Sequence, residues 1–387
     1  MTVSNQTDSH IAGHHLTNRT DTVWIELTSR CNLRCTYCHQ SVPTFHAKDM
    51  DVGDFPRLVE HLQAMGVQEV VAQGRGETHF LEHWHHYVDQ IQAAGIGVSG
   101  VMNLAKDYSE EEMLTLSRYR SITVSVDTVD RELTKRIRRS SDIRQILYNQ
   151  TRIVATALAQ GTKPPRIIWN CVTNDQVVMG LCEWISMGIA LGVSEFNLAL
   201  LSKFTHVPDA LNVDHVTTLP DGPFLEALQI IETAVALGRA HGKVVTLHPG
   251  LTESLQRHRE KIFSSQEGQR DSEPHADAGA GLDHIAVTQP GQTRNCLYPW
   301  STAYIEADRS LRVCCISPIF KQLPESWDLA EILNGPELQG FRQAFLRGQL
   351  PAECAKCPTA SITTPDDLLT KVEKYLSGKG SPRANPV

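Results

Sequence analysis

The sequence predicts an α/β protein: an open, partial (β/α)6 TIM-like barrel followed by a small cysteine-rich domain made of a β-hairpin and a helix. Three observations predict it. Between residue 23 and about residue 200, six short strand-like runs alternate with segments of helical periodicity, the pattern of βα units around a parallel sheet. No dinucleotide-binding G-x-G-x-x-G follows the first of those runs, which favours an open barrel over a doubly wound sheet. The 10 cysteines are clustered, with Cys31, Cys35 and Cys38 near the start and Cys296, Cys314, Cys315, Cys354 and Cys357 near the end.

Taken in order, residues 1–20 are polar and without periodicity and are expected to form a flexible tail. The first strand is Val23–Leu27. Phe55, Leu58, Val59, Leu62 and Met65 then follow a helical rhythm that Gly66 ends. A strand at Glu69–Ala72, a helix at Tyr87–Ala94 ended by Gly95, and a strand at Gly97–Met102 come next. Ser109 and Glu112 have the spacing of a capping box opening another helix. Strands at Ser121–Val126, Arg166–Val172 and Glu195–Leu200 complete the six, with helices at about 141–159 and 175–191 between them. Residues 203–221 read as a loop over the barrel mouth, a candidate substrate lid. A helix at about 223–241, a strand at Val244–Leu247 and a helical stretch to about 263 precede the Ser-, Gln-, Asp- and Gly-rich linker at 264–294. The expected domains are a tail (1–20), the barrel (21–245), a helical stretch and linker (246–290), the cysteine-rich domain (291–376) and a tail (377–387).

Composition narrows the function classes. A net charge of −8 argues against a nucleic-acid or anionic-membrane surface. No run of eighteen apolar residues is present, so no transmembrane helix is expected. The first residues lack the basic and apolar regions of a signal peptide. The cysteines are therefore expected to be reduced, metal-binding thiols in a cytoplasmic protein.

Cys31, Cys35 and Cys38 stand in a C-x3-C-x2-C spacing directly after the first strand. Three thiolates on one loop can grip three corners of a cubane iron–sulfur cluster and leave the fourth iron open. An open position marks a metal site that does chemistry. The alternative is a zinc knuckle with His39 as fourth ligand, but His39 follows Cys38 directly and is badly placed to close a tetrahedron. In parallel α/β folds ligands bind at the carboxyl ends of the strands, and polar residues collect there: Gln73, Asn103, Ser125 with Asp127, Asn170 with Asn174, and Asn197. The plainer reading is that each caps the following helix, most of all Asn174. Ser125 and Asp127 alternate with Val124 and Val126, which places them on the interior face. His79, His83, His85 and His86 lack paired carboxylates at ligand spacing and read as a solvated helix face.

The cysteine loop, with Tyr37 before its third cysteine, resembles the signature of the radical SAM superfamily. The resemblance implies a [4Fe-4S] cluster held by Cys31, Cys35 and Cys38, whose open iron binds S-adenosylmethionine. It also implies reduction by a flavodoxin or ferredoxin-type donor, and formation of a 5′-deoxyadenosyl radical that takes hydrogen from the substrate. Gly74-Arg75-Gly76-Glu77-Thr78 resembles the Gly-Gly-Glu-Pro motif that holds the S-adenosylmethionine amino group. Gly76 and Glu77 match, while Arg75 and Thr78 depart from it. Tyr37, Ser125, Asp127 and Asn174 resemble cofactor-binding positions, and Arg138 resembles a recurrent arginine after the fourth strand, with an ordinary surface arginine as the alternative.

The last domain runs from Cys296 through strand-like Thr302–Glu306 and Leu311–Val313 to Cys314-Cys315, a helix at about 336–347, and Cys354-Ala355-Lys356-Cys357. A hairpin with a C-x2-C pair is also what a zinc ribbon offers. The arrangement is similar to the twitch variant of the SPASM domains that follow many radical SAM barrels. That resemblance implies an auxiliary [4Fe-4S] cluster held by Cys296, Cys314, Cys354 and Cys357, closed to substrate and suited to carrying an electron or to fixing the domain against the barrel mouth. Cys315 is the spare thiol, either replacing Cys314 as ligand, packing silently, or donating hydrogen to a substrate radical. Cys171, alternating with Ile167 and Trp169, is a second candidate donor, and its strand alone does not say which face it occupies. Cys182 falls on the helical stripe of Val178, Leu181, Ile185 and Ile189 and reads as core.

The expected function is hydrogen abstraction from a small polar metabolite, sugar- or aminocyclitol-like, ending in dehydrogenation or epimerisation. One alternative is a peptide-modifying radical SAM enzyme of ribosomal-peptide maturation. Another, from a different class, is a non-catalytic Fe–S or zinc binding module.

Overall fold

The computed structural model describes residues 11–42, 44–53, 55–201, 213–268 and 286–378. Most of the candidate lid and of the linker therefore falls outside the described residues. The chain divides into two compact units, one drawn from Met1–Arg30, Ala47–Ser99 and Ile285–Val387, the other from Cys31–His46 and Gly100–His284.

Among the described residues twelve strands are formed: β1 (Thr22–Ile25), β2 (Glu69–Ala72), β3 (Gly97–Met102), β4 (Ser121–Ser125), β5 (Arg166–Thr173), β6 (Glu195–Leu200), β7 (Val244–Leu247), β8 (Thr293–Arg294), β9 (Thr302–Ile305), β10 (Ser310–Arg312), β11 (Lys321–Gln322) and β12 (Ile362–Thr363). The α/β class and the order of the barrel elements are those the sequence predicts.

In the first unit, β1 pairs in parallel with β2 on one side and with β9 on the other. Thr22 faces Glu69 and Thr302, and Ile25 faces Ala72 and Ile305. The hairpin β9–β10 is antiparallel and continues into β11. The cysteine-rich region is thus joined to the first barrel strand by a backbone ladder. The domain boundaries drawn from sequence missed this because strand pairing between residues about 280 apart leaves no local trace. Residues 13–16, expected within a tail, form a 3-10 turn in which His15 is buried. Trp300 Nε1 donates to the His15 carbonyl at 2.6 Å, and Arg19 N donates to the Trp300 carbonyl at 2.8 Å. Helices Phe55–Ala64 and Trp84–Ala93 end where Gly66 and Gly95 adopt φ of 73° and 79°, a region open to glycine at little cost.

In the second unit β4, β5, β6 and β7 form a parallel ladder. Val124, Trp169, Phe196 and Val245 stand in register across it, all buried. They face helix Leu181–Ala190, whose Trp184 ring lies 5.7 Å from Trp169 and 5.2 Å from Phe196. Gly188 is required there, since a Cβ would fall 2.4 Å from the Phe196 ring. Both buried indoles are satisfied, Trp169 by Gln150 at 2.7 Å and Trp184 by the Val126 carbonyl at 2.8 Å. The expected capping box opens helix Glu110–Ser117, with Ser109 and Glu112 bonding reciprocally. No helix among the described residues is long and apolar enough to cross a membrane.

Candidate active site

The loop Cys31–Cys38 is held from three sides within the second unit. Asn103, just past β3, donates to Asn32 Oδ1 at 2.8 Å, and Asn32 donates in turn to the Ala105 carbonyl at 2.8 Å. Thr36 N donates to the Ile137 carbonyl at 2.8 Å, and Ser41 Oγ closes the turn onto the Cys35 carbonyl at 2.7 Å. Leu33 N points at Cys31 Sγ, 3.3 Å away. An N–H aimed at sulfur stabilises negative charge on it, as a metal-bound thiolate requires.

The third anchor is built on a buried ion pair, Asp127 with Arg138. Tyr37 donates its hydroxyl to Asp127 Oδ2 at 2.7 Å. Arg138 bridges the same carboxylate, Nε to Oδ2 at 2.8 Å and Nη2 to Oδ1 at 3.2 Å, and Val172 N donates to Oδ1 at 2.9 Å. Four donors saturate the carboxylate, so Asp127 holds the cysteine loop and has no oxygen to spare for a ribose or an amino group. Arg138 is buried, which corrects the surface alternative. Burial pushes the Cys35 thiol up to about 12, with Arg138 pulling in the opposite direction, and burial likewise raises Cys38 and Tyr37. Burial thus disfavours the bare thiolate at Cys35 and Cys38, and binding a metal there would release their protons.

Asn174 behaves as the capping reading expects. Its Nδ2 donates to the Val172 carbonyl at 2.9 Å, and its Oδ1 accepts from Gln176 N at 3.0 Å and Val177 N at 3.3 Å. Cys171 is fully buried on the helix-facing side of β5 with Trp169, its Sγ 3.3 Å from the Asp127 carbonyl oxygen. A thiol there cannot reach a molecule on the opposite face, which corrects the expectation of Cys171 as a hydrogen donor. Ser125 lies on that opposite face, in register with Asn170 of β5, Asn197 of β6 and Thr246 of β7. Asn197 is 8% exposed, and its Oδ1 has no hydrogen-bond partner among the described residues. His248 follows β7 at the same parity, with Nδ1 accepting from Gly250 N at 3.1 Å. Neither Thr246 nor His248 stood out in the sequence, since the row shows only once the registers are known.

In the first unit the Gly74–Thr78 loop closely approaches the segment that follows β1. A Cβ on Gly76 would fall 2.3 Å from the Arg30 carbonyl oxygen, and Glu77 N donates to that carbonyl at 2.8 Å. Glu77 is buried, its Oε1 2.9 Å from His79 Nδ1. His79 itself is fully buried edge-on to Trp84, and His85 is buried too. This corrects the reading of a solvated helix face, which survives only for His83 and His86. Proximity of a carboxylate two residues away was the available signal.

The five C-terminal cysteines, Cys296, Cys314, Cys315, Cys354 and Cys357, line one cavity whose other walls include Tyr298, Phe341 and Phe345. Burial, with mutual repulsion among the thiols, raises Cys296 and Cys314 and pushes Cys354 up to about 12. Arg294, which sequence reasoning missed, braces the Cys354–Cys357 turn. It donates to the carbonyls of Cys354 at 3.2 Å, Ala355 at 2.6 Å and Ala360 at 2.9 Å. Ser317 Oγ accepts from Val313 N at 3.1 Å and Cys314 N at 3.3 Å. Cys315 is exposed. A zinc site needs about four donors at roughly 2.0–2.3 Å from one ion. Among the described residues no group of three or more His, Cys, Asp or Glu side chains is placed to hold a single metal ion.

Residues 25–154 match the model of the radical SAM superfamily. Among curated proteins, the chain is 28% identical over 160 residues to a GTP 3′,8-cyclase of Chlorobaculum tepidum, covering 41% of this chain and 48% of that one. It is 24% identical over 153 residues to a probable GTP 3′,8-cyclase of Pyrococcus abyssi, covering 40% and 49%. The chain spans about half the length of the curated relatives it matches. Among solved structures it is similar to SuiB of Streptococcus suis bound to S-adenosylmethionine, with a TM-score of 0.58 at 12% identity over 84% of this chain and 68% of that one. It is also similar to anSMEcpe with bound S-adenosylmethionine, with a TM-score of 0.52 at 15% identity over 87% and 86%. The fold is accordingly the TIM-like partial barrel of radical SAM structures. With its cysteine loop at the head of the matched segment, residues 25–154 are similar to the radical SAM superfamily.

Proposed function

We propose that the chain is a radical SAM enzyme of the twitch type that abstracts hydrogen from a small, polar, hydroxylated or aminated metabolite, sugar- or aminocyclitol-like, giving dehydrogenation or epimerisation. The observation that carries this reading is the row Ser125, Asn170, Asn197 and Thr246, which presents hydroxyl and amide groups across four parallel strands and contains no charged side chain. The unpartnered Asn197 Oδ1 calls for a donor, as a ligand hydroxyl or amine supplies.

In this reading Cys31, Cys35 and Cys38 hold the [4Fe-4S] cluster, while Tyr37, Asp127 and Arg138 fix their loop. Gly76 and Glu77 serve the S-adenosylmethionine amino group, and Ser125 faces the ligand. When bound, cluster and S-adenosylmethionine supply a 5′-deoxyadenosyl radical, and the reductant is of flavodoxin or ferredoxin type. Cys296, Cys314, Cys354 and Cys357 would hold a second cluster, which would supply an electron outlet for dehydrogenation. Cys315, exposed beside Cys314, is the remaining thiol able to return a hydrogen in epimerisation.

The experiment is anaerobic turnover with S-adenosylmethionine and reductant in deuterated buffer, offering in turn amino sugars and aminocyclitols, GTP, and a precursor-type peptide. The GTP arm answers to the curated relatives, and the peptide arm to SuiB, which has been crystallised with its precursor peptide. Dehydrogenation leaves a product two hydrogens lighter, whereas epimerisation puts one deuterium on carbon and stalls in Cys315→Ala. Turnover confined to GTP or to peptide refutes the proposed substrate class.

A further inference from the structure

Arg75 is one of the two residues by which the Gly74–Thr78 loop departs from the Gly-Gly-Glu-Pro motif it resembles, and its surroundings explain that departure. Glu26, directly after β1, is fully buried. Its Oε1 accepts the backbone N–H of Arg75, and its Oε2 accepts Arg75 Nη2 at 3.2 Å and Ala307 N at 3.0 Å. The loop sits directly on this carboxylate, since a Cβ on Gly74 would fall 2.2 Å from Glu26 Cγ. Arg75 Nη2 also lies 3.5 Å from Glu306 Oε2, and Glu306 is itself buried. Glu306 Oε1 accepts from Arg312 Nε at 3.0 Å, Arg312 Nη1 donates to the Ser317 carbonyl, and Ser317 Oγ accepts from Cys314 N at 3.3 Å.

Charges therefore alternate along one connected path: Glu26, Arg75, Glu306, Arg312, and then the turn of Cys314. Two buried carboxylates this close demand cations between them, and a guanidinium can bridge both at once. A glycine at position 75 would leave Glu26 with backbone donors alone.

We propose that Arg75 is a positioning residue that couples the loop offered to the S-adenosylmethionine amino group with the hairpin that carries Cys314. Ligand binding at Gly74–Thr78 is then felt at residues 306–317 through the Arg75–Glu306 contact. The ligand's identity rests on the functional reading above, whereas the coupling between the two segments does not.

Hydrogen exchange by mass spectrometry on the full chain tests it, first without cluster and then after reconstitution with and without S-adenosylmethionine. In the cluster-free chain, Arg75→Met is expected to speed amide exchange at least about tenfold both at 74–78 and at 306–317, and Arg75→Lys to restore part of the protection. After reconstitution, S-adenosylmethionine protects 306–317 in the wild type and no longer does so in Glu306→Gln, which keeps Arg75 and its contact to Glu26. Exchange that rises only at 74–78, or ligand protection that persists in Glu306→Gln, overturns the coupling. Should Arg75→Met fail to fold, Glu306→Gln decides alone. A wild type that does not bind S-adenosylmethionine refutes the functional reading, and the cluster-free comparison then decides the coupling.

Discussion

Asp127→Asn removes the charge at the centre of the buried anchor while keeping its shape. The Asp127 and Arg138 side chains are 1% and 7% exposed, and the pair is bidentate at 2.8 and 3.2 Å. Removing one partner of such a pair strands the other charge in the interior and costs about 3–5 kcal/mol. For a unit of this size that is a fall in Tm on the order of 10 °C. Arg138→Met strands the carboxylate instead and is expected to cost about as much. In Asp127→Asn/Arg138→Met neither charge remains, so the double variant should be more stable than the two single losses added together, by about 2 kcal/mol or more. Tyr37→Phe removes one of four donors and should cost only about 1–2 kcal/mol. The assay is thermal unfolding of the cluster-free chain followed by circular dichroism, with iron uptake measured alongside. Because Tyr37 sits between Cys35 and Cys38, uptake should fall with stability in every variant that frees its hydroxyl. Single variants that melt within about 2 °C of the wild type, or a double variant that equals the sum of the singles, refute the anchor.

Gly76→Ala drives a Cβ into the Arg30 backbone and is expected to lower cluster loading, whereas Gly340→Ala, with open space around it in helix Pro336–Leu346, should stabilise the chain by about 0.5–1 kcal/mol; melting and iron analysis check both. Arg342 is fully buried and donates to the carbonyls of Pro299 at 2.8 Å, Leu16 at 2.7 Å and Leu333 at 2.6 Å, with burial bringing its guanidinium down to about 10. Arg342→Met orphans three acceptors and should cost about 3 kcal/mol or more in denaturant unfolding. Burial lowers the His248 pKa below its ordinary 6.5. Between those two values the unfolded chain binds more protons, so His248 leaves stability intact above pH 6.5 and reduces it progressively as pH falls below. His248→Gln should flatten that acid limb in melts taken from pH 7.5 to 5, and an unchanged slope contradicts the assignment.

Much of the fold was legible because the barrel elements carry local signals. The strands at Glu69–Ala72, Gly97–Met102, Glu195–Leu200 and Val244–Leu247 fall where β-branched runs meet glycine or polar punctuation. The capping box at Ser109 and Glu112 is formed as read. What escaped depends on partners far apart in the chain. The parallel pairing of β1 with β9 is invisible to periodicity, as is the burial of His15 and Trp300 against each other's segments. At the site, residue type told where chemistry gathers but not how each group is spent. Asp127 and Asn174 were legible as polar strand-end residues, yet the structure uses one to clamp the cysteine loop and the other to cap a turn. Glu26 carried a readable sign, a lone carboxylate inside the apolar run Val23–Leu27. Arg294 carried none, because its acceptors are backbone carbonyls supplied by the Cys354–Cys357 turn and its neighbours.

The most direct measurement of the central claim is 5′-deoxyadenosine formation by the anaerobically reconstituted, dithionite-reduced chain given S-adenosylmethionine. It is quantified by mass spectrometry beside iron and sulfide, for the wild type and for Cys31→Ala/Cys35→Ala/Cys38→Ala. The account predicts 5′-deoxyadenosine from a wild type carrying about eight irons, and none from a variant that keeps about four at its C-terminal cysteines. A fully loaded wild type that leaves S-adenosylmethionine intact, or a variant that cleaves it equally well, contradicts the account.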